Sequence, residues 1–280
     1  MQHKYTMSNL NELNRIANRL DEMDEKMPLL FVGHGNPMNA IEENEFTLGW
    51  KLLTKEIKKP KAILCISAHW ETRGTFVTAM ENPRTIHDFA GFSKSLFDVE
   101  YPAKGNYTLS NQTKELVQKT SIELDNNWGL DHGCWSVLNQ MYPEAEIPVL
   151  QMSIDFTKSA QWHYDLANEI SVLRNRGVLI LGSGNMIHNL GMINWQNPES
   201  KFDWAEQFND TLKSNIFSEN HDALINYSSF GEAAALAIPT PEHYLPLLYI
   251  LGLKEKNEGI KFFNDKTIMG SISMTSLIVS

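Results

Sequence analysis

The sequence predicts a single α/β domain, and three observations carry that reading. The first is a set of short, nearly unbroken apolar runs, Pro28–Gly33, Ala62–Ile66 and Gly177–Gly182, the pattern of strands buried on both faces. The second is the interleaving of such runs with segments whose apolar residues fall at helical spacing. The third is that each run gives way within a few residues to glycine, serine or asparagine and then to a histidine: His34, His69 and His188. In open α/β sheets ligands bind beyond the carboxyl ends of the strands, so these histidines are placed for chemistry. A chain of 280 residues can bury a sizeable core, and neither an internal repeat nor a linker divides it.

Taken in order, Ser8–Lys26 reads as an amphipathic helix, with Leu10, Leu13, Ile16, Ala17, Leu20 and Met23 on one face. We treat residues 1–26 as an N-terminal helical extension and 27–280 as the single α/β domain. The first strand turns at Asn36–Asn39 into a helix over Asn44–Ile57. The second strand, ending at Ile66, is followed by a long irregular span, Arg73–Asn106, whose Phe89, Phe92, Phe97 and Tyr101 suit an ordered loop that shapes a pocket. Helices are expected over Leu109–Ile122, Cys134–Tyr142 (stopped by Pro143), Ala160–Asn175, Phe202–Phe217 and Leu245–Leu253. Ile147–Ile154 reads as a strand. Ile268–Ile278 alternates apolar and small polar residues and reads as a half-buried closing strand.

Composition narrows the function. A net charge of −10 disfavours a nucleic-acid binder, which would carry a basic face. No apolar stretch approaches the length of a membrane span, and the polar, acidic N-terminus does not resemble a secretory signal. Cys65 and Cys134 sit in apolar surroundings and are expected to be reduced and structural, in keeping with a cytoplasmic protein.

Of nine histidines, His3, His163 and His221 lie in polar or helical contexts and are read as structural or solvated. His34, His69, His188 and His243 each border an apolar element among Gly, Ser, Asn and Pro. One such histidine means little; four can converge at one sheet edge, where neutral imidazoles suit Zn, Fe, Ni or Cu and leave positions open for substrate. His132, between Asp131 and Gly133, is a candidate acid or base beside that set, and His87-Asp88 is a weaker one. Other motifs fall away. Gly182-Ser-Gly184-Asn-Met-Ile187 has Ile where a dinucleotide fingerprint needs Gly or Ala, and the chain has neither a phosphate-binding loop nor a Gly-x-Ser-x-Gly elbow.

Six segments together resemble the DOPA 4,5-dioxygenase family of class III extradiol ring-cleavage dioxygenases. They are Gly33-His-Gly-Asn-Pro-Met38, Ser67-Ala-His-Trp70, Thr85-Ile-His-Asp-Phe89, Asp131-His-Gly133, Gly184-Asn-Met-Ile-His-Asn-Leu190 and Pro239-Thr-Pro-Glu-His-Tyr-Leu-Pro246. The resemblance runs in order from Met27 to Val279. It implies a central, largely parallel mixed sheet flanked by helices, with a metal site at the strand ends. It implies His34 and His69 as metal ligands and a third from the Pro-Glu-His-Tyr segment, for which we take His243, with Glu242 the alternative. It implies His188 as active-site base and occasional fourth ligand, and His132 as a second catalytic histidine.

The activity so implied is extradiol (4,5) cleavage of catechols such as L-DOPA with O2, a reaction of aromatic-compound metabolism. The cofactor is one divalent ion: iron as Fe(II) for activity, with zinc as Zn(II) able to occupy the same geometry. The expected partners are a small catechol and O2, with no nucleic acid and no membrane, in a monomer or small homo-oligomer. Two other classes remain as alternatives: a zinc-dependent hydrolase, and a non-catalytic metal-binding interaction protein of the same superfamily.

Overall fold

The computed structural model describes residues 26–280; the helix expected over Ser8–Lys26 lies outside the described residues but for Lys26. Ten strands follow in chain order: β1 Leu29–Gly33, β2 Ala62–Thr72, β3 Thr75–Thr78, β4 Ile122–Asp125, β5 Val149–Asp155, β6 Val178–Gly184, β7 Ile260–Phe263, β8 Thr267–Ile268, β9 Ile272–Ser273 and β10 Ser276–Val279. The six principal helices are α1 Glu45–Glu56, α2 Tyr107–Leu116, α3 His132–Met141, α4 Ala160–Ala167, α5 Asp203–Phe217 and α6 Leu245–Leu253.

Eight strands form one sheet in the order β4-β3-β5-β2-β6-β1-β10-β7, and β8 pairs with β9 apart from it. The centre, β5-β2-β6-β1, is parallel; on one flank β10 is antiparallel to β1 and β7 antiparallel to β10, and on the other β3 is antiparallel to β5. The expected largely parallel mixed sheet is therefore present. Every residue of β1 and of β6 is buried. Alternate side chains feed two separate apolar layers: Leu29, Phe31, Leu64, Ile66 and Ile180 face α4, α5 and α6, whereas Leu30, Val32, Ile63, Cys65 and Leu181 face α1 and α3. Strands covered on both sides need no polar positions, which is why their sequences read as continuous apolar runs.

Register brings the chemistry to one edge. β1 and β6 end level, with Gly33 opposite Gly184, and Ser67 of β2 lies opposite Ser183 of β6. His34, His69 and the loop to His188 consequently leave the sheet side by side. Helix α6 lies on the same edge. All nine of its residues are buried and apolar, as befits a helix packed on every side. The segment that leads into it comes so close to β6 that a Cβ on Gly184 would sit 2.1 Å from the His243 carbonyl oxygen. Only glycine admits that approach, and the Asn185 N–H then donates to the same oxygen at 2.9 Å.

Several boundaries differ from expectation, each for a local reason. β2 runs on past Ile66 to Thr72, with its pairing to β5 shifting between Ile66 and Glu71, so His69 is held within a strand and not on a loop. The span Arg73–Asn106 is not wholly irregular; it contains β3 and a one-turn helix at Lys94–Phe97. The helix begun at Tyr107 stops at Leu116, where the Glu169 carboxylate takes the Gln118 and Lys119 N–H groups at 2.6 and 3.0 Å, and Ile122 then starts β4. Ala160–Asn175 is broken by a tighter turn at Asn168–Ile170. The closing strand is broken into β8, β9 and β10, because Met269 and Gly270 take positive φ (51° and 80°) and turn the chain between β8 and β9.

Candidate metal centre

His34 follows β1 and is almost fully buried. Its backbone N–H donates to the Gly184 carbonyl at 3.1 Å, and Asn39 Nδ2 donates to its own carbonyl at 3.0 Å, so the residue is pinned on both sides. Ring orientation is set by Ser183. The Ser183 hydroxyl donates to the Gly133 carbonyl at 2.5 Å, which leaves it as acceptor for His34 Nδ1 at 3.0 Å. His34 Nδ1 therefore carries the proton, and its Nε2 presents a lone pair to the centre.

His69 projects from β2, with its backbone N–H on Ser67 Oγ at 3.3 Å. Ser67 in turn donates to Asp131 Oδ1 at 2.6 Å, and Asp131 caps α3 through the Cys134 N–H at 3.1 Å. Gly133 makes this contact between β2 and α3 possible, since a Cβ there would sit 2.8 Å from the His69 ring. His243, just before α6, is buried and turns Nδ1 to Glu242 Oε1 at 3.1 Å. Glu242 accepts as well from Thr240 Oγ1 at 2.9 Å, so its carboxylate holds the back of the His243 ring. The opposite nitrogen, His243 Nε2, is buried without a hydrogen-bond partner.

These three rings form a triangle with centroids 5.0–5.3 Å apart. His34 Nε2 and His69 Nε2 are only 3.1 Å apart. With the His34 proton on Nδ1 and His69 Nδ1 turned to Asp88 Oδ2 at 3.4 Å, the two Nε2 atoms face each other as lone pairs, and a third ring nitrogen nearby is orphaned. A cation satisfies all three at once, so the donor set fits a divalent metal bound by imidazole nitrogen. His34, His69 and His243 could hold such an ion, their ligand atoms lying within 4.8 Å of one another.

Burial favours the uncharged rings that metal binding needs. It pushes His34 and His243 well below the usual imidazole range, with the neighbouring imidazoles adding to the effect. His69 is pushed down to about 3 by burial and by His132, against an opposing pull from Asp88. His188 is pushed down to about 4, chiefly by burial.

His188 and His132 flank the triangle. His188 stacks on His243 with centroids 3.5 Å apart and planes 8° from parallel. Its backbone is fixed by Ala237 and by a bridge to Ile272, at the start of β9. His132 opens α3, its ring 3.8 Å from that of His69. Asp88 serves both: Oδ1 accepts from the His132 N–H at 2.9 Å and lies 3.0 Å from its Nδ1, off the hydrogen-bonding line, while Oδ2 is 3.4 Å from His69 Nδ1. Burial works to raise the Asp88 carboxyl, but His132 and His69 outweigh it and hold it below the ordinary range. A carboxylate behind a histidine fixes its tautomer and ring orientation.

All five histidines singled out from the strand ends and from Asp131-His-Gly133 thus converge. His87 does not, since its ring bonds the Val99 carbonyl at 3.0 Å and packs on Phe89, Phe97 and Trp135. His163 bonds Tyr249 and the Asp155 carbonyl, and His221 bonds Tyr164, as expected for structural residues. Cys65 and Cys134 are both free and buried, and the fold sets their thiols against one another beneath the site. The sequence reading missed Ser183 and the orienting part played by Glu242, and underrated Asp88. An acid next to His87 and one next to His243 were the only signals available.

The rings open onto a cavity of about 360 Å³. Its lining includes Asn36, Asp88, Phe89, Phe92, Leu190 and Trp195.

A ring of histidines that could hold a metal, at the strand ends of a largely parallel sheet and opening on a mainly apolar cleft, is the arrangement of a metal-dependent enzyme. Comparison with known proteins makes the class specific. Residues 29–276 match the family described as the catalytic LigB subunit of aromatic ring-opening dioxygenase. A 4,5-DOPA dioxygenase extradiol from Escherichia coli (strain K12) is 46% identical over 257 residues, covering 90% of this chain and 94% of that protein. A 4,5-DOPA dioxygenase extradiol from Beta vulgaris is 35% identical, covering 88% and 94%. The crystal structure of an uncharacterized protein from Escherichia coli K12 superposes with a TM-score of 0.80 at 42% identity, covering 91% of this chain and all of that one. The chain belongs to this family of aromatic ring-opening dioxygenases and is an extradiol ring-cleaving enzyme.

Proposed function

We propose that the enzyme uses one Fe(II), held by His34, His69 and His243, to open catechol rings beside the diol with O2, with L-DOPA (4,5-cleavage) among its substrates. The observation that carries the reading is the meeting of three lone-pair nitrogens, His34 Nε2 and His69 Nε2 at 3.1 Å and the orphaned His243 Nε2. Iron, when bound, supplies the electron transfer between a chelated catecholate and O2; zinc in the same place would hold the geometry without that chemistry.

The remaining steps fall to side chains. His188, uncharged at neutral pH, accepts the catechol hydroxyl proton at a ring nitrogen. Stacking on His243 keeps that ring beside the bound diol. Asp88 stands behind His132 Nδ1, so Nε2 is the nitrogen turned to substrate, placed to return a proton as the ring opens. Phe89 and Phe92 cover the cavity and limit water around the reacting atoms. No helix of the described residues is long and apolar enough to cross a membrane. Two free thiols support a cytoplasmic location, and a small catechol and O2 are the partners the cavity suits.

The test is oxygen uptake with a catechol after anaerobic loading with Fe(II). Stoichiometric uptake with appearance of a yellow semialdehyde product is expected. Uptake no faster than with Zn(II)-loaded protein would refute the reading.

A further inference from the structure

We infer that Trp195 receives the substituent of a bound catechol and is the residue by which the site tells a substituted ring from a bare one. The inference rests on the ring-cleavage reading and deepens it, naming a specificity residue for the same site. The cavity has an inner and an outer end. At the inner end His34, His132 and His243 are buried. At the outer end two large side chains line the cavity and yet stand mostly in solvent, Leu190 at 61% and Trp195 at 69% exposed. A catechol chelated through its two oxygens directs a 4-substituent away from the diol edge, and so towards that mouth.

The backbone that carries Trp195 is pinned on its approach. The Asn189 N–H donates to the Ser271 carbonyl at 3.2 Å and Asn189 Nδ2 to the Leu236 carbonyl at 2.7 Å. The Asn194 N–H donates to the Met269 carbonyl at 2.8 Å. An indole held out over a cavity by a fixed backbone gains by being covered, and a ligand in that cavity is what can cover it. Trp195 differs from Leu190 in what it offers. Its rings give an apolar face for methylene groups, and its Nε1–H, which has no partner among the described residues, gives a donor for an acceptor atom. A substituent with both a short hydrocarbon spacer and an acceptor at its end matches the two together.

A matched series isolates the effect: unsubstituted catechol, 4-propylcatechol, 3-(3,4-dihydroxyphenyl)propanoate and L-DOPA, each against wild type, Trp195→Phe and Trp195→Ala. Dissociation constants are measured by anaerobic titration of Zn(II)-loaded protein, and kcat and KM by oxygen uptake with Fe(II)-loaded protein. Wild type should bind the substituted rings about tenfold more tightly than catechol itself, and Trp195→Ala should lose that margin while holding catechol within about twofold. Trp195→Phe should keep most of the margin for the propyl compound and less of it for the propanoate, because phenylalanine has no N–H. In turnover the loss should fall on KM, with kcat little changed. A wild type that binds catechol as tightly as the substituted rings overturns the inference. So does a Trp195→Ala protein that loses bare and substituted rings equally, or loses neither. If the margin behaves as expected but no member drives oxygen uptake in wild type, the ring-cleavage reading falls and the assignment of Trp195 stands. If all are cleaved and the variants keep the margin, the reverse is true.

Discussion

A single methyl group on Gly184, set against the backbone of the His243 segment, should weaken the protein's hold on its metal. The Ala Cβ would sit 2.1 Å from the His243 carbonyl oxygen, 3.0 Å from the carbonyl carbon and 3.3 Å from Pro246 Cγ. The obstacle is backbone and cannot rotate away. That carbonyl is also tied to the Asn185 N–H at 2.9 Å, so relief requires the His243 segment to lift by roughly 1 Å. Overpacking of this kind costs about 1–3 kcal/mol. The more telling loss is at the centre, since the His243 ring moves with its backbone. Displacing a ligand's support typically weakens metal affinity by about 10–100-fold. Gly184→Ala should therefore show weaker Zn(II) binding in a competition titration and a lower melting temperature. Gly259→Ala, where the nearest atom to a new Cβ is Ser280 O at 3.8 Å, is the control and should match wild type. Wild-type affinity and melting temperature in Gly184→Ala would refute the argument that this close approach sets the third ligand.

His243→Ala should lose stoichiometric metal while remaining folded, whereas Glu242→Gln should keep stoichiometry with affinity lowered about 10–100-fold; metal analysis showing the opposite pattern would make Glu242 the ligand. His188→Ala should retain metal and catechol binding but lose on the order of 10²–10⁴ in kcat, so an unchanged oxygen-uptake rate would move the base to His132. His163 gives a pH signature away from the site. Its Nε2–H donates to the Asp155 carbonyl and its Nδ1 faces the Tyr249 hydroxyl, so the neutral ring is satisfied, and burial pushes it down to about 4. The unfolded chain, with an imidazole near 6.5, binds more protons between those values, so the contribution is full above about pH 6.5 and fades as pH falls towards 4. The span corresponds to about 3 kcal/mol. Urea unfolding of wild type and His163→Gln should diverge over that window, and parallel pH profiles would disprove the assignment.

How much of this was legible in the sequence depended on what each residue answers to. β1, β2 and β6 were readable because burial on both faces leaves an unbroken apolar run, and His34, His69 and His188 were readable because such a run precedes each, although His69 itself lies within β2. β4 was not, since Ile122–Asp125 is a four-residue edge strand with one buried side chain and looks like the tail of a helix. The break in the closing strand hides in Met269, a residue that ordinarily avoids positive φ and is held there by its own N–H on the Pro198 carbonyl and the Gly270 N–H on the Ser200 carbonyl. Asp88 was underrated because its partners lie 19 and 44 residues away, at His69 and His132, and only the tertiary fold brings them together. Glu242 could be read as ligand or as support for His243, a choice that depends on which nitrogen of the ring it touches.

The placement of β10 between β1 and β7 has a consequence for how the enzyme comes into being. Val279 pairs with Leu29, so the strand that leads to His34 gains its second neighbour from a segment synthesised long after it. His243 arrives late as well, on a segment that rests against β6. A growing polypeptide that has emerged only as far as Gly231 holds His34, His69, His132 and His188 but neither His243 nor the α6 helix that seats it. Fragments released at that point should take up no stoichiometric iron, which metal analysis of a chain truncated after Gly231 would check. On the proposed ligand set the centre is complete only once His243 and α6 have emerged, so an interrupted translation product would lack the third ligand.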